Sequence, residues 1–211
     1  MKKPYMHLKF PLNFRIKNNW QDCFENFDID KRMLFRDQGC SLLSGNVHQW
    51  FKEKHKIFPT LGLLWSWPKW NESEKIYHVD FYGSTGNLEG RKFTFAINLL
   101  IQGEPSATEF SDLENSIQIP PQEVEKIRDQ EEKITGYRGI NKVVFYDRTP
   151  DWSSSIKQNI PMMINVGVPH RVNQSYQGDT RWAYSIRFKH QDTSQISWQQ
   201  AVDIFKKYEI D

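Results

Sequence analysis

Hydrophobic and polar positions along the chain fall into two textures. Trp20, Phe24 and Phe27 stand at i, i+4 and i+7, which predicts an apolar helical face within residues 18–27. Residues 30–36 predict a second short helix around Met33 and Leu34. Ser44, Gly45 and Asn46 form a turn or cap signal, Val47, Trp50 and Phe51 follow at helical spacing, and Pro59 closes that stretch. From about Ile57 the pattern becomes that of strands. Residues 61–68 are apolar and short, 76–82 alternate, and 92–102 form a strong apolar run ended by Gly103 and Pro105. Residues 106–110, 141–146, 161–168 and 181–188 read as further strands. Residues 122–133 are charged, with Val124 and Ile127 on one side, and read as a helix or a loop. Near the end, Ser197 and Gln200 resemble a capping box, and Trp198, Val202 and Phe205 share one face. Short strands separated by turn signals predict a mainly β fold, a sandwich or barrel, flanked by N-terminal and C-terminal helices. The chain reads as one domain, 1–211. Residues 1–56 are a helical support, 57–190 a β core, and 197–208 a terminal helix.

Composition narrows the class. The 211 residues carry 28 Lys+Arg against 26 Asp+Glu, a formal net charge of +2. That balance argues against a protein devoted to coating nucleic acid. A chain of this length buries enough surface to fold without a disulfide or metal staple. Its two cysteines, Cys23 and Cys40, cannot make a disulfide scaffold and read as reduced thiols. No stretch approaches the roughly 18 apolar residues of a membrane helix. The start, with Lys2 and Lys3, has no apolar run after it, so no signal peptide is expected and the expected location is cytoplasmic. The 14% aromatic content suits pleated sheet. The near-neutral total hides an acidic insertion, 104–132, with nine acids against two bases. It reads as a solvated excursion between strands, or as a lid over a site.

Candidate chemistry centres on histidine and carboxylate. His78 and Asp80 lie in a predicted strand, where the period of 2 puts both on one face and Val79 on the other. An imidazole and a carboxylate side by side offer two ligands to one divalent ion. His170 follows a predicted strand and Pro169, and supplies a third ligand if a neighbouring strand brings it near. Two His and one carboxylate leave three positions open, the ligand set of non-haem Fe(II) oxygenases. Further on, Arg181 opens a predicted strand, with Ala183, Ser185 and Arg187 on its face. A guanidinium pointing into a barrel is costly unless it meets an anion, and it grips a carboxylate through two parallel hydrogen bonds. An edge-strand arginine lying on the surface is the plainer reading.

These segments resemble the 2-oxoglutarate/Fe(II)-dependent dioxygenases, and more narrowly the small members related to aspartyl and prolyl hydroxylases. His78-Val79-Asp80 matches one half of the family's iron triad. Residues 95–101 and 106–110 look like its central strand pair. Residues 165–173, then 181–188, match the segments of the distal histidine and the cosubstrate arginine. The likeness runs from about 76 to 188, with the acidic segment as an insertion, and the first 60 residues have no match. The resemblance implies a double-stranded β-helix, the jelly roll shared with cupins, holding Fe(II) by His78, Asp80 and His170. It implies that Arg181 pairs with the distal carboxylate of 2-oxoglutarate, with Arg187 as the fallback and Ser185 assisting. Asn98 is a candidate wall residue, because its amide sits in an otherwise apolar strand and a buried amide needs partners. The implied reaction takes O2 and 2-oxoglutarate, releases succinate and CO2, and hydroxylates an amino acid, a peptide side chain or a small metabolite. Two departures bear on it: Ala183 stands where some relatives carry Ser, and the 81–90 loop is long for the group.

Three other classes remain open at this stage. A cupin-type metal enzyme without redox chemistry would bind metal but not consume 2-oxoglutarate. A non-catalytic jelly-roll binding module would lack a tight Fe(II) site. A single-strand nucleic-acid binder would use Trp65, Trp67 and Trp70, which otherwise read as packing residues. His48 and His55 lie about two turns apart, too far to share a metal. Arg91, Arg138, Arg148 and Arg171 could form a cationic rim, although scattered arginines are usually solvated. Oligomeric state is not written in the sequence.

Overall fold

The computed structural model describes residues 3–28, 32–67, 76–79, 95–111, 117–118, 123, 126, 129, 133, 142–145, 150–173, 180–192 and 194–210. The strands are β1 (Tyr5–Leu8), β2 (Leu34–Gln38), β3 (Ile57–Trp67), β4 (Ile76–Val79), β5 (Ala96–Gln102), β6 (Ala107–Phe110) and β7 (Ile117–Gln118). They continue with β8 (Lys142–Phe145), β9 (Trp152–Ser155), β10 (Met162–Ile164), β11 (His170–Asn173), β12 (Arg181–His190) and β13 (Glu209–Ile210). The short α-helices α1 (Gly45–Trp50) and α2 (Trp198–Phe205) flank them. The strands form two antiparallel sheets. One has the order β13-β1-β10-β5-β12-β3-β2, the other β7-β8-β4-β11-β6-β9. No helix among the described residues is long and apolar enough to cross a membrane.

Strand periodicity lets the larger sheet serve two cores. Trp182, Tyr184, Ile186 and Phe188 of β12 face the helical side, with Leu64, Phe51 and Phe205. Residues of the other parity, such as Leu61 on β3 and Ala96 and Leu100 on β5, face the second sheet with Phe110, Met162, Ile164, Val166 and Val168. Gly62 allows this crowding: a Cβ there would lie 2.0 Å from the Tyr184 hydroxyl. That hydroxyl donates to Asp37 at 2.6 Å. The buried Asp37 carboxylate also accepts from the Ser41 and Leu42 amides, both at 2.8 Å, and from the Ser41 hydroxyl at 2.7 Å, which ties the turn after β2 to the core.

The terminal helix forms as its sequence predicts. Ser197 accepts from the Gln200 amide, and the Gln200 side chain returns a bond to the Ser197 amide. The helix after Ser44 also forms, and a π-helical turn, Phe51–His55, extends it to Lys56, whose φ of 56° ends it. Pro59 therefore lies inside β3 rather than at the helix end, beside the register shift between Arg187 and Phe188. Two other expectations are corrected. Within 18–27 only Trp20–Cys23 is helical, a single 3-10 turn without a side-chain cap, and Phe24 is extended. The three aromatics instead close on Trp182, with ring centroids 4.8, 5.4 and 5.3 Å away. The second predicted helix is strand β2, because pairing with β3 (Leu34 with Trp65, Asp37 with Gly62) outweighs the weak local preference. In the charged segment 122–133, Glu123, Lys126, Asp129 and Lys133 are helical and exposed.

Candidate metal centre

The strand register brings the two candidate histidines together. β4 and β11 are antiparallel neighbours, and His78 is directly opposite His170. Residues directly opposite in an antiparallel pair project to the same face, and here the ring centroids are 4.4 Å apart. His170 is buried. Its Nδ1 donates to the Val168 carbonyl at 2.9 Å, since a carbonyl oxygen can only accept. In the neutral ring this leaves the lone pair on Nε2, the nitrogen suited to a metal, with the backbone fixing the tautomer. Asp80 lies outside the described residues. Among the described residues no three His, Cys, Asp or Glu side chains cluster closely enough to hold a metal ion.

Phe110 lies opposite His170 on β6, fully buried, with its ring 6.2 Å from the imidazole. Phe110 in turn stacks on Tyr5 at 5.8 Å and 21°. Tyr5 pairs with Ile164 and Ile164 with Ala96. These contacts fix which end of the larger sheet faces the histidines: the end where β10 finishes and β5 begins. Val166 and Val168, in the connection from β10 to β11, pack there with Ala96, Ile164 and Phe110.

Position along β12 separates the two candidate arginines. Both are buried. Ile186 pairs with Ile97 on β5, so Arg187 stands at the histidine end, opposite Leu61 of β3. Arg181 is six residues away, about 20 Å along a strand. It pairs with Trp67 and adjoins the β5–β6 turn, where a Cβ on Gly103 would come within 2.9 Å of the Arg181 Cα. Arg187 therefore stands toward the histidine end of β12 and Arg181 toward the opposite end.

Ser185 and Asn98 lie opposite each other on β12 and β5. Arg187 Nη1 donates to the Ser185 hydroxyl, which donates to Asn98 Oδ1. The polarity of this buried chain runs one way, from guanidinium to hydroxyl to amide oxygen. Such a chain holds the guanidinium in place, and it gives the buried amide expected from sequence its partner.

The remaining polar candidates have structural roles. Arg171 is no part of a rim: its Nε donates to Glu109 at 2.7 Å, and Asn173 donates to the other Glu109 oxygen. Arg91, Arg138 and Arg148 lie outside the described residues, as does Trp70. His48 donates to the Cys40 carbonyl at 2.8 Å. Burial, then Lys207 and Lys54, push the His55 pKa down to about 4. Both thiols are free, and burial pushes that of Cys40 up to about 12. Sequence reading overlooked Tyr5 and His7. Their alternation with Met6 and Leu8 was the available signal, but four residues are too few to stand out beside the longer strands.

No protein-family model matches the chain, and no curated protein matches it. Among solved structures it is similar to AviO1 from Streptomyces viridochromogenes Tue57, with 15% identity over 69% of this chain and 57% of that one and a TM-score of 0.32. It is also similar to HygX from Streptomyces hygroscopicus with nickel and 2-oxoglutarate bound, with 8% identity, 81% and 73% coverage and a TM-score of 0.40. A third is E. coli ycfD, with 9% identity, 84% and 54% coverage and a TM-score of 0.30. The chain thus spans a little over half the length of AviO1 and of ycfD.

Proposed function

We propose that the chain is an Fe(II)- and 2-oxoglutarate-dependent oxygenase that hydroxylates a small molecule or peptide side chain. The observation that carries this reading is the cross-strand pair of His78 and His170, with the His170 Nδ1 committed to a backbone carbonyl. Strand order supports it. Taken in chain order, β3, β5, β10 and β12 lie in one sheet, and β4, β6, β9 and β11 in the other. The orders β3-β12-β5-β10 and β4-β11-β6-β9 are compatible with a double-stranded β-helix, and in this reading the site lies between the sheets at the end where the two histidines pair. Outside that core, β1 and β2 widen the larger sheet, while α1 and α2 back it.

In this reading His78 and His170 provide two nitrogen ligands, and Asp80, two residues beyond His78 in sequence, provides the hard anionic third. Such a set favours Fe(II) over thiophilic ions and keeps positions open for a chelating cosubstrate and dioxygen. Iron with 2-oxoglutarate supplies the oxidising power; the chain supplies position. Arg187, at the histidine end, takes the distal carboxylate of the cosubstrate in place of Arg181. Ser185 and Asn98 hold Arg187 in aim rather than touch the cosubstrate. A dicarboxylate bound between Arg187 and the histidines would rest against Leu61, Ala96 and Ile164, whose apolar surfaces limit water.

The test is anaerobic addition of Fe(II) and 2-oxoglutarate, read by the metal-to-ligand absorption band. The parent chain gives the band, and His78→Ala, Asp80→Ala and His170→Ala abolish it. Arg187→Ala raises the 2-oxoglutarate concentration needed by tenfold or more, whereas Arg181→Ala changes it less than threefold. No band in the parent protein would refute the reading. A band with the larger effect at Arg181 would return the cosubstrate role to that residue.

A further inference from the structure

Strand β1 belongs to the larger sheet through its backbone and to the smaller sheet through its side chains. Its register with β10 pairs Tyr5 with Ile164, Met6 with Met163 and His7 with Met162. Two further backbone bonds lock it there, from the Asn165 amide to the Pro4 carbonyl at 2.8 Å and from the Leu8 amide to the Pro161 carbonyl at 2.9 Å. Met6 and Leu8 face the helical core. Tyr5 and His7, of the other parity, reach across to β9. The Tyr5 hydroxyl donates to the Ser153 carbonyl at 3.4 Å, and His7 Nε2 lies 3.0 Å from the Ser154 hydroxyl. One strand therefore fastens one sheet to the other beside the histidine pair.

We propose that Tyr5 is a positioning residue for His170, acting through Phe110. The rings form a continuous series: Tyr5 stacks on Phe110 at 5.8 Å, and Phe110 lies 6.2 Å from the His170 imidazole. Phe110 has no exposed surface, so it can shift only if a neighbour moves. Tyr5 is the neighbour stacked on its ring. Its backbone is set by β10, the strand that leads through residues 165–169 into His170. Tyr5 thus ties the imidazole's packing to the backbone leading into it. The Nδ1 bond to Val168 fixes the ring at one nitrogen, and the aromatic series fixes its tilt. The Tyr5–Phe110–His170 coupling stands on the ring contacts alone. Its effect on metal affinity rests on the reading of His170 as a ligand.

The experiment compares Tyr5→Ala, Tyr5→Phe and Met6→Ala in the full chain. Met6 is on the same strand and faces the other way, so its truncation loosens β1 without touching Phe110. Imidazole nitrogen NMR of the metal-free protein reads His170 directly. Tyr5→Ala moves the His170 signals, while Tyr5→Phe and Met6→Ala leave them in place. Titration with Co(II) alone shows about tenfold weaker binding for Tyr5→Ala and less than twofold change for the other two, the size expected when support behind a metal ligand is removed. If Tyr5→Ala does not fold, Tyr5→Leu takes its place, keeping bulk but lacking the aromatic face. Unmoved His170 signals in Tyr5→Ala or Tyr5→Leu overturn the proposal, as does an equal movement in Met6→Ala. A parent that binds no Co(II) but shows the Tyr5-specific movement keeps the coupling and removes the metal reading instead.

Discussion

Ser185 shows how much one hydroxyl can carry. Its single proton goes to Asn98 Oδ1 and its lone pair accepts from Arg187 Nη1. Ser185→Ala deprives two buried groups of a partner at once, at about 1–3 kcal/mol for each. Denaturant unfolding should show a loss of about 2–6 kcal/mol with unchanged m-value. A loss under about 0.5 kcal/mol would mean that water replaces the hydroxyl, the ordinary fate of a surface pair. His55 gives a different residue-level prediction. Burial, Lys207 and Lys54 hold its pKa at about 4, below the ordinary 6.5. As pH falls below 6.5 the unfolded chain takes up this proton before the folded chain does. The stabilisation is full above 6.5 and is lost between 6.5 and about 4. Melting temperature should fall across that window, and His55→Phe, which keeps a ring against Trp50 and Tyr208, should flatten the fall. An unchanged profile in the variant would assign the fall to other groups.

At the scale of elements, close approach sets the sharpest constraint. Gly62→Ala puts a methyl 2.0 Å from the Tyr184 hydroxyl, so the tyrosine must leave Asp37 or β3 must move. A destabilisation of at least about 2 kcal/mol is expected, from overpacking plus the loss of one of the hydrogen bonds to the buried Asp37 carboxylate. Gly62→Ala combined with Tyr184→Phe should recover part of it, and failure to recover any would place the strain in the backbone. The same elements explain what the chain reveals before its structure is seen. β5, β12 and α2 carry long patterns or a cap, and local chemistry was enough to find them. β2 reads as helical in isolation because Met33 and Leu34 are good helix formers, and its pairing with β3 decides otherwise. β1 and β9 are four-residue strands whose identity comes wholly from partners. His78 and His170 could be chosen by residue type and strand parity, but their pairing depends on register across 92 residues of chain. Arg187 and Arg181 share one face of β12, and only the register shows which end each occupies.

The whole molecule is organised around one shared sheet. Phe51 belongs to the core on its helical side and Phe110 to the core between the sheets, and both are fully buried. β5 and β12 contribute side chains to both cores or line both faces, so neither core can open while the larger sheet stays intact. The chain should therefore unfold as one cooperative unit despite its two hydrophobic clusters. Phe51→Ala and Phe110→Ala should each cost about 3–5 kcal/mol and move the same transition. In a Trp152→Phe background, which removes the tryptophan packed against the Phe110 core, tryptophan fluorescence reports on the helical side through Trp20 and Trp182; far-UV circular dichroism reports on both sheets. The two probes should give one midpoint in the parent and one, lower, in each variant. If Phe110→Ala lowered the dichroism midpoint and left the fluorescence midpoint in place, the six-stranded sheet would be a separate unit. The histidine pair on that sheet would then be held less firmly than the shared-sheet architecture requires.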